Sequence, residues 1–174
     1  MVIWKIVRAT IQIFTEDRYG GAFVKKLINR LIYLGFISKN ISVKTRLFVG
    51  RCNPKVYRQV KAAHIDYDKI IILMDAHGRD VKKIEASVKR HIPKECREKV
   101  HIVILNYEIE EWICYGLGIK FNQKPSESLN EYLMKHRGAE ERYEKYMLVS
   151  FADKINLNRL CSYPSFRNFL NALL

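Results

Sequence analysis

The chain has 174 residues, of which 48% are hydrophobic and 28% charged, a balance typical of a globular protein and not of a disordered one. Lysine and arginine total 31 against 18 aspartates and glutamates, which gives a formal net charge of +13. No apolar run reaches the roughly 18 residues of a membrane span, and the first residues lack a secretion signal. We therefore expect a cytoplasmic protein whose charge attracts polyanions, with nucleic acid as the first candidate partner. A basic surface that serves solubility alone is the alternative.

Four segments rich in β-branched and apolar residues predict strands. They are Val7–Phe14, Ile41–Val49, Lys69–Met74 and Val100–Leu105. The third is a continuous apolar run, which is typical of a strand buried on both faces of a parallel sheet.

Helical spacing of apolar residues predicts helices between these strands. The first carries Phe23, Leu27 and Leu31 on one face and ends at Gly35, the second runs from Asn53-Pro54 to about His64, and the third runs from Val81 to Ile92. Strands that alternate with helices at these lengths predict an α/β fold with a parallel sheet and right-handed crossovers.

The sequence after the fourth strand predicts helices. A helix is predicted over Tyr107–Leu117, and a short amphipathic helix over Ser165–Leu174. Between them, the charged segment Ser126–Tyr146 has a helical pattern that Gly138 divides into two pieces. We find no linker and no internal repeat, so one domain over residues 1–174 is expected, with a core at about 1–120 and a helical extension at about 121–174.

The four cysteines lie far apart in the sequence. Cys52, Cys96, Cys114 and Cys161 include no close pair of the kind that builds a zinc knuckle. We expect reduced thiols, some of them in the core, and a disulfide remains the alternative.

Acidic residues follow three of the predicted strands. Glu16 follows the first strand, Asp75 the third, and Glu108 and Glu110 the fourth. Ligands of open parallel sheets bind outside the carboxyl ends of the strands, where these acids could converge and hold Mg²⁺ or Mn²⁺. A metal there would orient a phosphate during phosphodiester cleavage. His77, two residues after Asp75, is a metal ligand, a proton carrier or a plain surface residue.

Each acid also has a purely structural alternative. The negative charge of Glu16 could interact favourably with the positive end of the following helix, and Asp75 could cap the helix after Gly78. Glu108 and Glu110 could belong to the solvated first turn of a helix.

Three segments in this order resemble the Toprim domain, which topoisomerases, primases and OLD-type nucleases share. They are Phe14–Glu16, Ile72–His77 and Tyr107–Ile113. The likeness is greater to a family of small stand-alone Toprim-like proteins, whose C-terminal end Phe151–Ile155 and Ser165–Leu170 also resemble. The resemblance implies a Toprim-like, Rossmann-like parallel sheet of about four strands between helices, a helical C-terminal part and a divalent-metal site.

In that family's pattern, Glu16 would be the first glutamate, acting as a metal ligand or a general acid or base. Asp75 would be the first aspartate of a pair and Glu110 the later glutamate. The chain departs from the pattern at four positions: Asp17 replaces a glycine, Gly20 replaces a second glutamate, His77 replaces the second aspartate and Tyr107 replaces a proline. Asp17, Asp80 or Glu108 could compensate for the missing carboxylates.

These observations lead to a first hypothesis of a metal-dependent phosphodiester-acting protein, a nuclease in defence or DNA repair. Glu16, Asp75 and Glu110 would hold the metal and His77 would assist. Basic residues are the candidates for phosphate contacts: Lys25, Lys26, Arg46, Arg51, Lys82 and Lys83. The alternatives are a non-catalytic nucleic-acid-binding module, and an interaction subunit that uses the charged segment Ser126–Tyr146 to bind a protein partner or a second copy.

Overall fold

The computed structural model describes residues 8–48 and 54–174. Its centre is a four-stranded, all-parallel sheet in the order β2-β1-β3-β4. The strands are β1 (Ala9–Thr15), β2 (Ile41–Leu47), β3 (Lys69–Asp75) and β4 (Val100–Leu105). The predicted α/β class with a parallel sheet between helices is confirmed, and Val7 and Val49, predicted as strand residues, lie outside the described residues.

Four helices are interspersed with the strands or follow β4: α1 (Arg18–Tyr33), α2 (Pro54–Asp66), α3 (Val81–Arg90) and α4 (Glu110–Leu117). Four more come after them: α5 (Pro125–Arg137), α6 (Leu148–Phe151), α7 (Leu157–Leu160) and α8 (Pro164–Leu173). Short 3₁₀ turns occupy Lys94–Lys99 and Lys145–Met147.

Two predicted helices are shorter than expected. The charged segment 126–146 is helical only to Arg137, because Gly138 has a φ of +117° and ends α5, and residues 139–144 are not helical. The helix predicted from Tyr107 begins at Glu110, because the backbone N–H of Tyr107 donates to the Glu111 side chain. Local hydrogen bonding to a side chain therefore delays the start of α4.

The sheet separates two apolar layers. On one face, Ile13 and Ile71 pack with α1 and with residues of α4 to α8. On the other face, Phe14, Ile70 and Ile72 pack with α2 and α3. Because β3 contributes to both layers, its continuous apolar sequence is explained by burial on both sides.

The C-terminal helices belong to the first of these layers through Trp112. Its ring lies 4.9 Å from that of Phe166 and 5.2 Å from that of Phe169. Its indole N–H donates to Ser165 Oγ at 2.9 Å, so the one polar atom of the ring is satisfied although the side chain is fully buried. This cluster fixes α8 against α4.

The strand order creates a topological switch point between β1 and β3. The chain leaves β1 through α1 to reach β2 on one side, whereas it leaves β3 through α3 to reach β4 on the other side. The two connections diverge at the carboxyl ends of neighbouring strands. This is where open α/β sheets form a crevice for ligands.

Three cysteines are free thiols, with Cys96 and Cys114 buried and Cys161 half-buried, while Cys52 lies outside the described residues. Within residues 8–48 and 54–174, no helix combines the length and the apolar character needed to cross a membrane.

Candidate metal centre

The switch point brings together Glu16, Asp75 and His77. Glu16 directly follows β1 and Asp75 is the last residue of the neighbouring β3. Each of the three side chains offers one ligand atom, and these atoms lie within 4.8 Å of one another. The expectation that acids after separate strands converge is therefore met for Glu16 and Asp75, and His77 joins them.

His77 lies in the loop after β3, and hydrogen bonds to the loop after β4 hold it in place. The backbone N–H groups of residues 76–78 donate to carbonyl oxygens of residues 105–107 at 2.8 to 2.9 Å. His77 has a φ of +50°, a left-handed conformation that costs a residue other than glycine about 1 kcal/mol or more. These three hydrogen bonds offset the strain and keep the exposed imidazole beside the acids.

Glu110 lies outside the group of converging ligand atoms but next to it. It is in the first turn of α4 and only 1% exposed, so the alternative of a solvated helix residue is wrong for Glu110. Its Oε1 accepts hydrogen bonds from the Tyr143 hydroxyl at 2.7 Å and from Lys145 Nζ at 3.1 Å. Its Oε2 is buried and has no hydrogen-bond partner among the described residues. A buried carboxylate oxygen without a donor is costly and suits a cation or a water.

Lys145 is a member of the site that the sequence did not reveal. Its ammonium contacts Glu110 and also lies 3.6 Å from Asp17 Oδ2. Burial lowers the pKa of Lys145, but the negative charges of Glu110, Asp17 and Asp75 outweigh that effect and raise the pKa overall. In the sequence, Lys145 belongs to a charged segment that is usually solvated, and no local signal points to the acids.

Tyr143 is the second such member. It packs near Phe151, at 6.4 Å between ring centroids. Burial and the Glu110 carboxylate raise the pKa of its phenol well above the ordinary value. Tyr143 therefore remains a hydrogen-bond donor that fixes the orientation of Glu110.

Asp75 has an unusual charge state because of these surroundings. Its pKa is raised to about 8, mainly by burial and in addition by like-charge repulsion from Glu16 and Glu110, while Lys145 acts in the opposite direction. Asp75 is thus protonated in much of the metal-free protein at neutral pH. The alternative that it caps α3 is wrong, because Asp80 does so.

The three acids that could compensate for missing carboxylates each bind backbone groups. Asp17 accepts from the backbone N–H of Gly20 at 2.7 Å at the start of α1. Asp80 accepts from two backbone N–H groups of α3 at 2.9 and 3.2 Å. Glu108 accepts from the backbone N–H of Ser126 at 2.6 Å. Asp17 and Asp80 are thus helix caps, whereas Glu108 binds a backbone N–H group in the first turn of α5 from the loop after β4, and Asp17 also contacts Lys145.

Glu111 is a buried acid that the sequence-based prediction did not assign. Its carboxylate accepts from the backbone N–H groups of Asn106 at 3.3 Å and Tyr107 at 2.9 Å, and from Ser165 Oγ at 2.8 Å. Burial raises its pKa although these bonds act in the opposite direction. Glu111 therefore fixes the loop after β4 to α8. The available signal was the apolar sequence Trp112–Cys114 directly after it, which predicts burial of the helix.

Three of the basic candidates lie near the same edge of the sheet. Arg46 is near the carboxyl end of β2, and Lys82 and Lys83 are in the first turn of α3, and all three are exposed. Lys26, in the middle of α1, forms an ion pair with Asp153. Arg51 lies outside the described residues.

No protein-family model matches this sequence, and no curated protein or solved structure is significantly similar to it. The resemblance to Toprim domains therefore stays a prediction from the sequence. The chemistry of the site is therefore inferred from its ligand atoms, from its position at the switch point and from the charged residues around it.

Proposed function

We propose that this chain is a metal-dependent phosphodiester-acting protein of the Toprim type, a nuclease in which Glu16, Asp75 and His77 hold one divalent cation. The observation that carries the proposal is the convergence of three ligand atoms within 4.8 Å at the carboxyl ends of two adjacent strands. Two carboxylates and one imidazole suit Mn²⁺ better than Mg²⁺, because Mg²⁺ prefers oxygen donors alone. The unpartnered oxygen of Glu110 beside this group supports the need for a cation.

When bound, such a cation polarises a phosphoryl oxygen and lowers the pKa of a water ligand. The protein supplies the remaining charge. Lys145, held by Glu110 at 3.1 Å, places an ammonium beside the site that would stabilise negative charge on a phosphoryl group. Tyr143 orients Glu110 and, through it, Lys145. Arg46, Lys82 and Lys83 would contact the phosphates of the nucleic acid on either side.

Calorimetric titration with Mn²⁺ tests the metal site. We expect one site in the wild type, and binding roughly 100-fold weaker or absent in Asp75→Asn. Asp80→Asn is the matched control, because it removes an acid of the same region that lies outside the converging group. A wild type that binds no Mn²⁺, with nucleic acid absent or present, would contradict the site.

Catalysis is tested separately with single- and double-stranded DNA and RNA in the presence of Mn²⁺. We expect cleavage by the wild type and a loss of about 10²-fold or more in Lys145→Met. Protein that binds Mn²⁺ but leaves all four substrates intact would keep the metal site and refute the nuclease.

One observation favours a second candidate, a non-catalytic nucleic-acid-binding module. The Lys145 ammonium already neutralises part of the acidic cluster, so the site is compatible with a fold without a metal. This candidate predicts binding that weakens steeply with salt and is unchanged in Asp75→Asn. Binding that is absent or insensitive to salt would exclude it.

A further inference from the structure

The edge of β4 lies in an open groove on a different side of the molecule from the acids. Within the described residues β4 pairs with β3 alone, so its other edge is not part of the sheet. That edge faces a groove of about 830 Å³, with residues 100–103 as its floor. Ala86 of α3 forms part of one wall, and Asn168 and Asn171 of α8 form part of the other.

This edge has the properties of a template for another strand. An edge strand presents backbone N–H and C=O groups that are able to pair, and proteins usually block them with lysine, proline or a bulge. The sequence of β4, Val-His-Ile-Val-Ile-Leu, contains no proline, lysine or acid. The two helices cover the faces of β4 and leave the space beside it open, between walls of small or uncharged side chains such as Ala86 and Asn171.

The charge around the groove indicates what kind of strand fits. Lys89 and Glu85 neutralise each other as an ion pair, which leaves Arg90 and Arg97 as the charged side chains of the groove. The same two arginines line an adjacent depression of about 530 Å³ together with Arg58 and Lys94. No acid among the described residues lines that depression. The side chains that line the groove and the depression therefore carry an excess of positive charge at the amino-terminal end of β4.

We propose that an extended acidic segment of a partner protein binds as a fifth strand along β4, with its carboxylates beside Arg90 and Arg97. Pairing with backbone groups would supply affinity, and the basic end would supply selectivity for acidic sequences. Residues 100–103 span roughly 13 Å, so four to six residues of the partner would occupy the groove.

Two other occupants fit less well. A second copy of the chain carries the same net charge of +13 and the same arginines, so pairing of two β4 edges brings like charges together. Nucleic acid suits the arginines but has no peptide groups to pair with the edge of β4. The metal site plays no part in this inference.

The first experiment measures binding of a fluorescein-labelled peptide of alternating valine and threonine with two glutamates at each end. We expect saturable binding by fluorescence anisotropy, and at least tenfold weaker binding when lysines replace the glutamates. Methylating two adjacent central amides should also weaken binding at least tenfold, since one of any two adjacent residues faces the partner strand. On peptide binding, hydrogen exchange should slow at residues 100–103.

Variants of exposed residues test the location. We expect Arg90→Glu with Arg97→Glu, and separately Ala86→Leu, to weaken peptide binding about tenfold or more. Lys25→Glu with Lys39→Glu is the control, because it changes the net charge equally at exposed positions on α1 and before β2 and should leave binding within about twofold. Equal binding of the methylated peptide would overturn the proposal, because it would show charge attraction without strand pairing.

Two further outcomes would also overturn it. A twenty-residue oligothymidylate that binds more tightly and depends on Arg90 and Arg97 would make the surface a nucleic-acid site. A dimer in sedimentation experiments that Ala86→Leu abolishes would assign the edge to a second copy.

Discussion

Asp75→Asn should change how the stability of the metal-free protein depends on pH. The pKa of Asp75 in the folded protein is raised to about 8, mainly by burial and by the nearby charge of Glu16. In the unfolded chain an aspartate titrates near pH 4. The folded state therefore binds more protons than the unfolded state between about pH 4 and pH 8, so the free energy of unfolding falls as the pH rises through this window.

The size of the effect follows from the two pKa values. A difference of about 4 between them corresponds to roughly 5 kcal/mol, which the wild type loses in full above about pH 8 and not at all below about pH 4. Asparagine has nearly the same shape and no charge to bury. We expect Asp75→Asn to match the wild type near pH 4 and to exceed its free energy of unfolding by up to roughly 5 kcal/mol at pH 9.

The assay is urea unfolding at pH 4 to 9 in the presence of a chelator, followed by the fluorescence of buried Trp112. Asp80→Asn is the control, because it removes a nearby exposed acid that caps α3, and its curve should run parallel to that of the wild type. With Mn²⁺ in place of the chelator, metal affinity should rise about tenfold per pH unit up to about pH 8, since binding displaces the proton of Asp75. Parallel curves for the wild type and Asp75→Asn in chelator would refute the reasoning, because they would show an ionised Asp75 in the folded protein.

Substitutions at three other positions, with Glu127→Ala as a control, separate structural residues from the metal site. Glu111→Ala should lower the free energy of unfolding, measured with urea, by about 3 kcal/mol or more, because it leaves two backbone N–H groups and a serine hydroxyl without their acceptor. The control Glu127→Ala, at an exposed ion pair, should lower it by less than about 1 kcal/mol. Asp80→Ala should cost about 1 kcal/mol as a lost helix cap and leave Mn²⁺ binding by calorimetry unchanged. His77→Asn should keep the free energy of unfolding within about 0.5 kcal/mol of the wild type, since asparagine tolerates a positive φ, and should weaken Mn²⁺ binding about tenfold. His77→Val should weaken binding and also lower the melting temperature. Equal melting temperatures for the asparagine and valine variants would contradict the strained conformation of His77.

Local sequence patterns predicted the sheet because its physical causes are local. The residues Ile70–Met74 are all apolar, so a strand made of them has apolar side chains on both faces. Both faces are buried only if helices cover the sheet on both sides. Patterns of charge were less informative. Residues 139–146 have a helical composition, yet the positive φ of Gly138 and the contacts of Tyr143 and Lys145 with Glu110 keep most of them out of a regular helix.

The sequence by itself determined that acids follow separate parallel strands, and the carboxyl ends of such strands necessarily lie at one edge of the sheet. Only the tertiary structure decided that β1 and β3 are neighbours, which places Glu16 beside Asp75. It also decided that Lys145 returns to Glu110 from a distant segment. The difference is physical: strand ends are set by periodicity within one segment, whereas contacts between distant segments depend on how the helices pack against the sheet.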